Sequence, residues 1–409
     1  MKCRFCEHQL EHTFVDLVSS PPANSFLTQQ NLLEPEMYFP LRLFTCDNCF
    51  LVQIDEYKKA QEIFSSDYVY FSSYSKSWLA HAKKYTEHMI SRFGFNEQSF
   101  IMEIASNDGY LLQYFKEKHI PVLGIEPTLN TAEVARLKGI LTISDYFGES
   151  LANKLLIENM TADLLIGNNV LAHVPDINDF VAGLKIVLKE QGIITMEFPH
   201  LLKLIEHVEF DTIYHEHFSY LSFNTVSKIF ASHGLEMFDV QEITTHGGSL
   251  RIFAKHFEDK SKSISPSVEL LLNKEKEAGI TTSAYYDDFQ QKVDMIKYNF
   301  LDFVLLQRKN NKKVIAYGAA AKGNTFLNYC GIKGDDLIQF VVDASPYKQN
   351  KFLPGSHLPV YSEERIKEYK PDYIIILAWN LKDEIMEQLS YIREWNGKFV
   401  MCIPQMKIL

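Results

Sequence analysis

The 409-residue chain has no apolar run near the roughly twenty residues needed to cross a bilayer, and its opening residues carry no signal-like apolar core. A soluble protein of the cytoplasm is therefore the expectation. Lys/Arg-rich runs are absent too: 41 Lys and Arg against 52 Asp and Glu leave a net charge of −11. Nucleic-acid affinity rests largely on neutralising phosphates, so the balance argues against a nucleic-acid partner and for a small molecule. Cysteine is scarce, six residues in all, which excludes a disulfide framework and fits a reducing compartment. A Gly-x-Gly-x-x-Gly dinucleotide loop is missing as well.

Four of the six cysteines form two pairs, Cys3/Cys6 and Cys46/Cys49. Each Cys-x-x-Cys turns two thiolates toward one point, and two such knuckles supply the four soft ligands that tetrahedral Zn²⁺ prefers. Residues 1–70 lack helical periodicity and carry turn signals at Ser19-Ser-Pro-Pro22 and Glu34-Pro35, so a metal staple stands in for a weak core. Cys330 and Cys402 stand alone and fit core packing.

The composition, 46% hydrophobic and 23% charged, suits a globular protein of two or three domains. After a helix over 78–93, strands over 99–105, 121–126, 141–144, 162–168 and 192–198 alternate with amphipathic stretches, which implies a parallel sheet covered on both faces. Two further runs, 235–243 and 249–256, fit an antiparallel hairpin at its edge. A charged helical stretch over 258–298 leads to a second α/β unit, opened by the strand Lys313–Tyr317 and the loop 318–325. The expected fold is α/β: a class I methyltransferase Rossmann-like domain over 71–257, flanked by the zinc-binding domain (1–70) and a second Rossmann-like domain (258–409).

The strand ending at Glu103 runs into Ala105-Ser-Asn107-Asp-Gly109 and a helix, placing backbone N–H groups at the C-terminal edge of the sheet, where such folds bind ligands. Some twenty residues on, Glu126 closes the next strand, the position from which a carboxylate accepts both hydroxyls of a ribose. One glycine is too few for close approach of a pyrophosphate, whereas S-adenosylmethionine has no phosphate to accommodate. Asn168 and Asn169, at the end of the fourth strand, fit either ligand contacts or plain turn residues.

After the fifth strand, Tyr214, His215, Glu216, His217 and Tyr220 lie within seven positions. A neutral imidazole takes a proton near neutral pH, and a neighbouring Glu or Tyr orients it, so the cluster suits acid and base catalysis. The spacing leaves open a second metal site on His215, Glu216 and His217, or hydrogen-bonded imidazoles in a packed turn.

With these motifs, and with Tyr68-Val-Tyr-Phe-Ser-Ser73, Ser77-Trp78, His246-Gly-Gly-Ser-Leu-Arg251 and Gly318-Ala-Ala-Ala-Lys-Gly323, the chain resembles from end to end the sugar C-methyltransferases of deoxysugar biosynthesis. These act on nucleotide-linked 4-keto-6-deoxysugars, typically at C3′. The resemblance implies S-adenosylmethionine bound by Glu103, Ala105, Asn107, Gly109, Glu126 and Asn168, and His217 as the general base with Tyr214 and Glu216 beside it. It implies a substrate pocket lined by Tyr68 or Tyr70, Asn169 and His173, with Lys322 at the phosphates of the sugar donor. The zinc is then structural. Ala105 is a departure, since similar chains usually have Gly there. The competing expectations are a methyltransferase for nucleic acid or protein, and a noncatalytic zinc-ribbon adaptor that would bind no S-adenosylmethionine. A monomer is expected.

Overall fold

The computed structural model describes residues 1–57 and 71–409, so Tyr68 and Tyr70 lie outside the described residues. The head is built from β1 (His12–Ser20), β2 (Phe39–Thr45) and β3 (Val52–Ile54), paired antiparallel in that order. In β2, Leu41, Leu43 and Thr45 are buried while Arg42 and Phe44 between them are not, the period-two alternation of a half-buried strand.

Helix α1 (Lys76–Phe93) follows, its start capped by the Ser75 hydroxyl on Trp78 N–H at 3.2 Å and its end turned by Gly94 in the left-handed region. Ala82, Tyr85 and Met89 form its buried stripe. The strand–helix alternation then delivers β4 (Ile101–Ile104), α2 (Leu112–Lys116), β5 (Val122–Ile125), α3 (Leu129–Leu137), β6 (Thr142–Ile143), α4 (Glu149–Ile157), β7 (Ala162–Asn168), α5 (Ile177–Val187) and β8 (Leu188–Pro199). After α6 (Leu201–Glu206) come the short β9 (Ser219–Tyr220), α7 (Phe223–Ser232), β10 (Leu235–Ile243) and β11 (Ser249–His256). The central sheet has the order β6-β5-β4-β7-β8-β11-β10; β4 to β8 run parallel and β11 runs antiparallel between β8 and β10. This is the class I methyltransferase Rossmann-like arrangement, with the expected hairpin at its edge.

Helix α8 (Pro266–Ala278) buries Glu275 completely, where it accepts His200 Nε2 at 2.6 Å and the N–H groups of Phe223 and Asn224 that open α7. Helix α9 (Phe289–Lys309) reaches back to the head, Phe289 stacking on Phe14 of β1 at 4.4 Å. The last unit comprises β12 (Val314–Tyr317), α10 (Ala321–Tyr329), β13 (Val341–Val342), β14 (Val360–Tyr361), α11 (Glu364–Tyr369), β15 (Tyr373–Ile376), α12 (Lys382–Gln388), β16 (Lys398–Met401) and β17 (Lys407–Ile408), in sheet order β14-β13-β12-β15-β16-β17. Its strands are parallel apart from β17.

One pairing crosses the expected organisation. β9, distant in sequence, adds to the open edge of β3 through Val52–Tyr220 and Gln53–Ser219, completing the head sheet. The segment 214–218 is thereby suspended between the head and the central sheet.

Candidate active site

Cys3, Cys6, Cys46 and Cys49 converge, their sulfurs all within 4.8 Å of one another. Cys3 to Cys49 is 3.6 Å and Cys6 to Cys46 3.5 Å; the edge of a ZnS₄ tetrahedron with bonds of about 2.3 Å is about 3.8 Å. The Cys3 thiol is pulled down to about 4, chiefly by its bond with Cys49. Donor set and spacing fit zinc. Gln53 Nε2 reaches Cys3 Sγ at 3.1 Å, so the strand that carries β9 also touches the ligand set. Among the described residues no other group of metal-ligating side chains forms. The alternative second site is absent because its members point apart: His215 to the Pro40 carbonyl, Glu216 to Asn24 and His217 to the Thr212 carbonyl.

At the cofactor loop, Asn107 N–H donates to Glu126 Oε2 and Thr128 N–H to Oε1, each at 2.9 Å, while Asn107 Oδ1 accepts Ser72 N–H at 2.9 Å. Gly109 is obligatory: its φ is +74° and an added Cβ would lie 2.4 Å from Ile140 Cδ1. Ala105 and Asn107 also lie in the left-handed region, φ +55° and +50°. The departure at Ala105 thus falls where glycine would be relaxed, and the methyl group makes the turn strained. Beneath the loop, both oxygens of Glu103, Ser106 Oγ and both amide atoms of Asn168 are buried without a hydrogen-bond partner of ordinary geometry. Burial drives the Glu103 carboxyl well above the carboxylate range, against the pull of the Tyr110 hydroxyl. Buried polar atoms left unpaired at strand ends make a cradle for a polar ligand.

The loop after β8 brings His217, Tyr214 and His173 together. The His217 ring lies 4.0 Å from Tyr214 and 4.6 Å from His173, centroid to centroid. Its Nδ1 donates to Thr212 O at 2.9 Å, so Nε2 keeps its lone pair. Burial first, and the neighbouring His173 second, push its pKa well below that of a free imidazole. Burial takes His173 down to about 4. Glu216 is nearly inaccessible and accepts Asn24 Nδ2 at 2.6 Å, which ties the loop to the head. The loop is held from both ends: Phe218 N–H bonds Ala172 O at 2.8 Å, and Phe218 O accepts Ile54 N–H at 3.2 Å.

Lys322, on α10, brings its ammonium 4.5 Å over the Trp379 ring and 3.4 Å from Asn380 Oδ1. The Trp379 indole donates to Asp211 Oδ2 at 2.7 Å. Burial raises Glu209 to about 8 and Asp211 to about 6, with Lys322 opposing in both. Lys322 therefore belongs to a buried charge cluster at the seam between the central and C-terminal units, close enough to influence His217.

Three family models match successive stretches of the chain. Residues 3–64 match the "Putative zinc binding domain", 78–240 the "Methyltransferase domain" and 244–404 the "C-methyltransferase C-terminal domain". A curated relative, C-methyltransferase NovU of Streptomyces niveus, is 31% identical over 408 residues, covering 100% of this chain and 96% of that protein. The chain belongs to the C-methyltransferase family. Solved structures align more loosely with this C-methyltransferase. The magnesium protoporphyrin IX methyltransferase of Synechocystis PCC 6803 is 13% identical, over 43% of this chain and 78% of that one, with a TM-score of 0.33. PH0226 of Pyrococcus horikoshii OT3 is 14% identical, over 46% and 95%, with a TM-score of 0.39. As a member of this family the protein is an S-adenosylmethionine-dependent C-methyltransferase with a zinc-binding head.

Several groups around the C-methyltransferase site escape sequence reasoning. Glu197, at the end of β8, is fully buried: burial alone would raise its carboxyl, but His81 at 2.8 Å and Arg251 at 2.7 Å hold it below the ordinary value. An acid inside the apolar run Gly192–Phe198 was the available signal. Thr212, Asn24, Glu209, Asp211 and Trp379 left none, since each acts through residues distant in sequence or through its backbone.

Proposed function

We propose that the protein methylates a nucleotide-linked 4-keto-6-deoxysugar at C3′, a small-molecule acceptor, as a cytoplasmic monomer. The supporting observation is the His217 imidazole, held neutral by burial, with Nδ1 occupied by the Thr212 carbonyl and Nε2 bare among the described residues. A carbon acceptor needs such a base, because the C–H beside a ketone must become a nucleophile, whereas many oxygen and nitrogen methylations need mainly proximity. When bound, S-adenosylmethionine supplies the electrophilic methyl group. In this reading Glu103, Ala105, Asn107, Gly109, Glu126 and Asn168 hold it, the unsatisfied buried amide of Asn168 being its natural partner. His217 Nε2 takes the proton at C3′, Tyr214 packs against the base, and Glu216 orients the loop through Asn24. Asn169 and His173 face the acceptor, with Tyr68 or Tyr70, and Lys322 meets the phosphates from the C-terminal unit (258–409).

Mass spectrometry of a panel of nucleotide 4-keto-6-deoxysugars, incubated with zinc-loaded enzyme and S-adenosylmethionine, tests the reading. One member should gain a methyl group on carbon; a panel that stays unmodified while nucleic acid or protein is methylated sinks the substrate class.

A further inference from the structure

His246 and Asn169 meet side chain to side chain, and both sit in the left-handed region at φ +56°. For residues other than glycine this costs on the order of 1 kcal/mol apiece, and such strain persists where surrounding structure enforces it, often at functional sites. Here the enforcement is visible. Gly247, next to His246, is pressed between the central and C-terminal units: an added Cβ would lie 2.4 Å from Trp379 Cη2 and 2.5 Å from Glu209 Oε1. The His246 ring lies 5.4 Å from Trp78, and Trp78 stacks at 5.9 Å on Tyr110 of the cofactor loop. His246 also bears electrostatically on His217. It therefore borders the aromatic stack on the cofactor loop and lies within electrostatic reach of the base.

The two imidazoles present opposite chemistry. Asn169 Nδ2 lies 3.3 Å from His246 Nε2; an amide NH₂ only donates, so Nε2 accepts and the ring proton resides on Nδ1. Among the described residues the hydrogen bond of His246 is the one with Asn169, at Nε2, and Nδ1 makes none. At His217 the protonated nitrogen is occupied and the bare one is available. Burial, with Lys322 adding to it, lowers His246 to about 4, so the donor is a neutral imidazole at physiological pH.

We propose that His246 is a second catalytic residue whose Nδ1–H hydrogen-bonds the acceptor's carbonyl oxygen while His217 Nε2 removes the proton from the adjacent carbon. The inference rests on the carbonyl-acceptor reading above. In this step the C–H bond breaks, its proton passes to His217, its electron pair forms the new C=C bond, and the carbonyl π pair moves onto oxygen. No oxidant or reductant is required. The charge that builds on oxygen meets a preset donor, and a neutral imidazole serves as such an electrophile without being drained of its own proton.

The test is solvent deuterium exchange at the carbon beside the ketone, followed by NMR on the zinc-loaded enzyme with the nucleotide 4-keto-6-deoxysugar panel, alongside calorimetric S-adenosylmethionine binding. His246→Ala should slow exchange about 100-fold, the usual loss for one oxyanion donor, with cofactor affinity unchanged. His246→Asn tolerates the left-handed backbone and returns an N–H near the Nδ1 position, so it should recover most of the rate. Asn169→Asp makes its partner an acceptor, moves the ring proton to Nε2 and should match His246→Ala. Exchange by His246→Ala within a few-fold of wild type, or equal loss in the Ala and Asn variants, overturns the assignment. Wild-type enzyme that exchanges no member of the panel overturns the acceptor reading, and this step with it.

Discussion

Glu126 and Asp343 occupy equivalent places in the two α/β units, each directly after the second strand. Glu126 accepts N–H groups from Asn107 of its first loop and from Thr128, both at 2.9 Å. Asp343 accepts Ala319 N–H of its first loop at 2.8 Å and Ser345 N–H at 2.9 Å. The same latch has been built twice from sequences with no visible repeat. What lies beneath the latches differs. Under the first are the unpartnered buried atoms of Ser106 and Asn168, beside a Glu103 carboxyl that only the Tyr110 hydroxyl reaches. Under the second, the strand ends in Tyr317, whose hydroxyl is engaged with Glu363 at 2.6 Å, beside the buried Val342, Ile376 and Leu377. Along the second loop and helix, the unpartnered buried amide is that of Asn324. Latching is thus a property of the scaffold; unmet hydrogen-bonding capacity at the strand ends marks the unit equipped for a polar cofactor. The second unit turns Lys322 and Trp379 outward to the seam instead.

Mutation can separate chemistry from scaffold. His217→Asn should lower methyl transfer by at least about 1000-fold, near the upper range for a general base, while calorimetry finds S-adenosylmethionine affinity near wild type. Next in size is the metal. Stripping zinc by chelation, or Cys46→Ser, should unfold the head sheet and release β9, so kcat and the melting temperature both fall; normal turnover by metal-free protein would show that the 214–218 loop needs no support from the head. Glu126→Ala should weaken S-adenosylmethionine about 10- to 100-fold, the worth of hydrogen bonds to a charged group. Asp343→Ala should leave that affinity unchanged and cost about 1–3 kcal/mol of stability by urea titration. Equal losses of affinity would erase the distinction between the two units.

Smaller effects sharpen the same contrast. Burial lowers the His217 pKa, so the base stays unprotonated to lower pH than a free imidazole. The acid limb of the exchange rate should accordingly fall below pH 6.5, the ordinary histidine value; a limb at or above it would contradict the burial. Ala105→Gly relieves a left-handed alanine and should raise stability by about 1 kcal/mol, seen as a higher urea midpoint with m unchanged.

Much of this was legible in the residues because the signals are local. Two Cys-x-x-Cys knuckles name their ligand geometry, and alternating apolar strands and amphipathic helices name a parallel sheet. Ala105 could be recognised as out of pattern, although the sign of its φ could not. The cluster Tyr214–Tyr220 was visible as a dense set of acid–base groups, but its partners were not. Thr212 contributes a carbonyl, which any residue could supply. Asn24 lies 192 positions from Glu216, and Asn169 lies 77 from His246.

The amino-acid order by itself determined the elements and the chemistry available, since backbone periodicity, turn strain and the preference of thiolates for zinc act over a few residues. The tertiary structure decided which nitrogen of each histidine is free, that the loop bearing His217 completes the head sheet, and which strand ends keep polar atoms unsatisfied. These depend on hydrogen bonds and burial between segments far apart in the chain, where no local propensity can choose the partner.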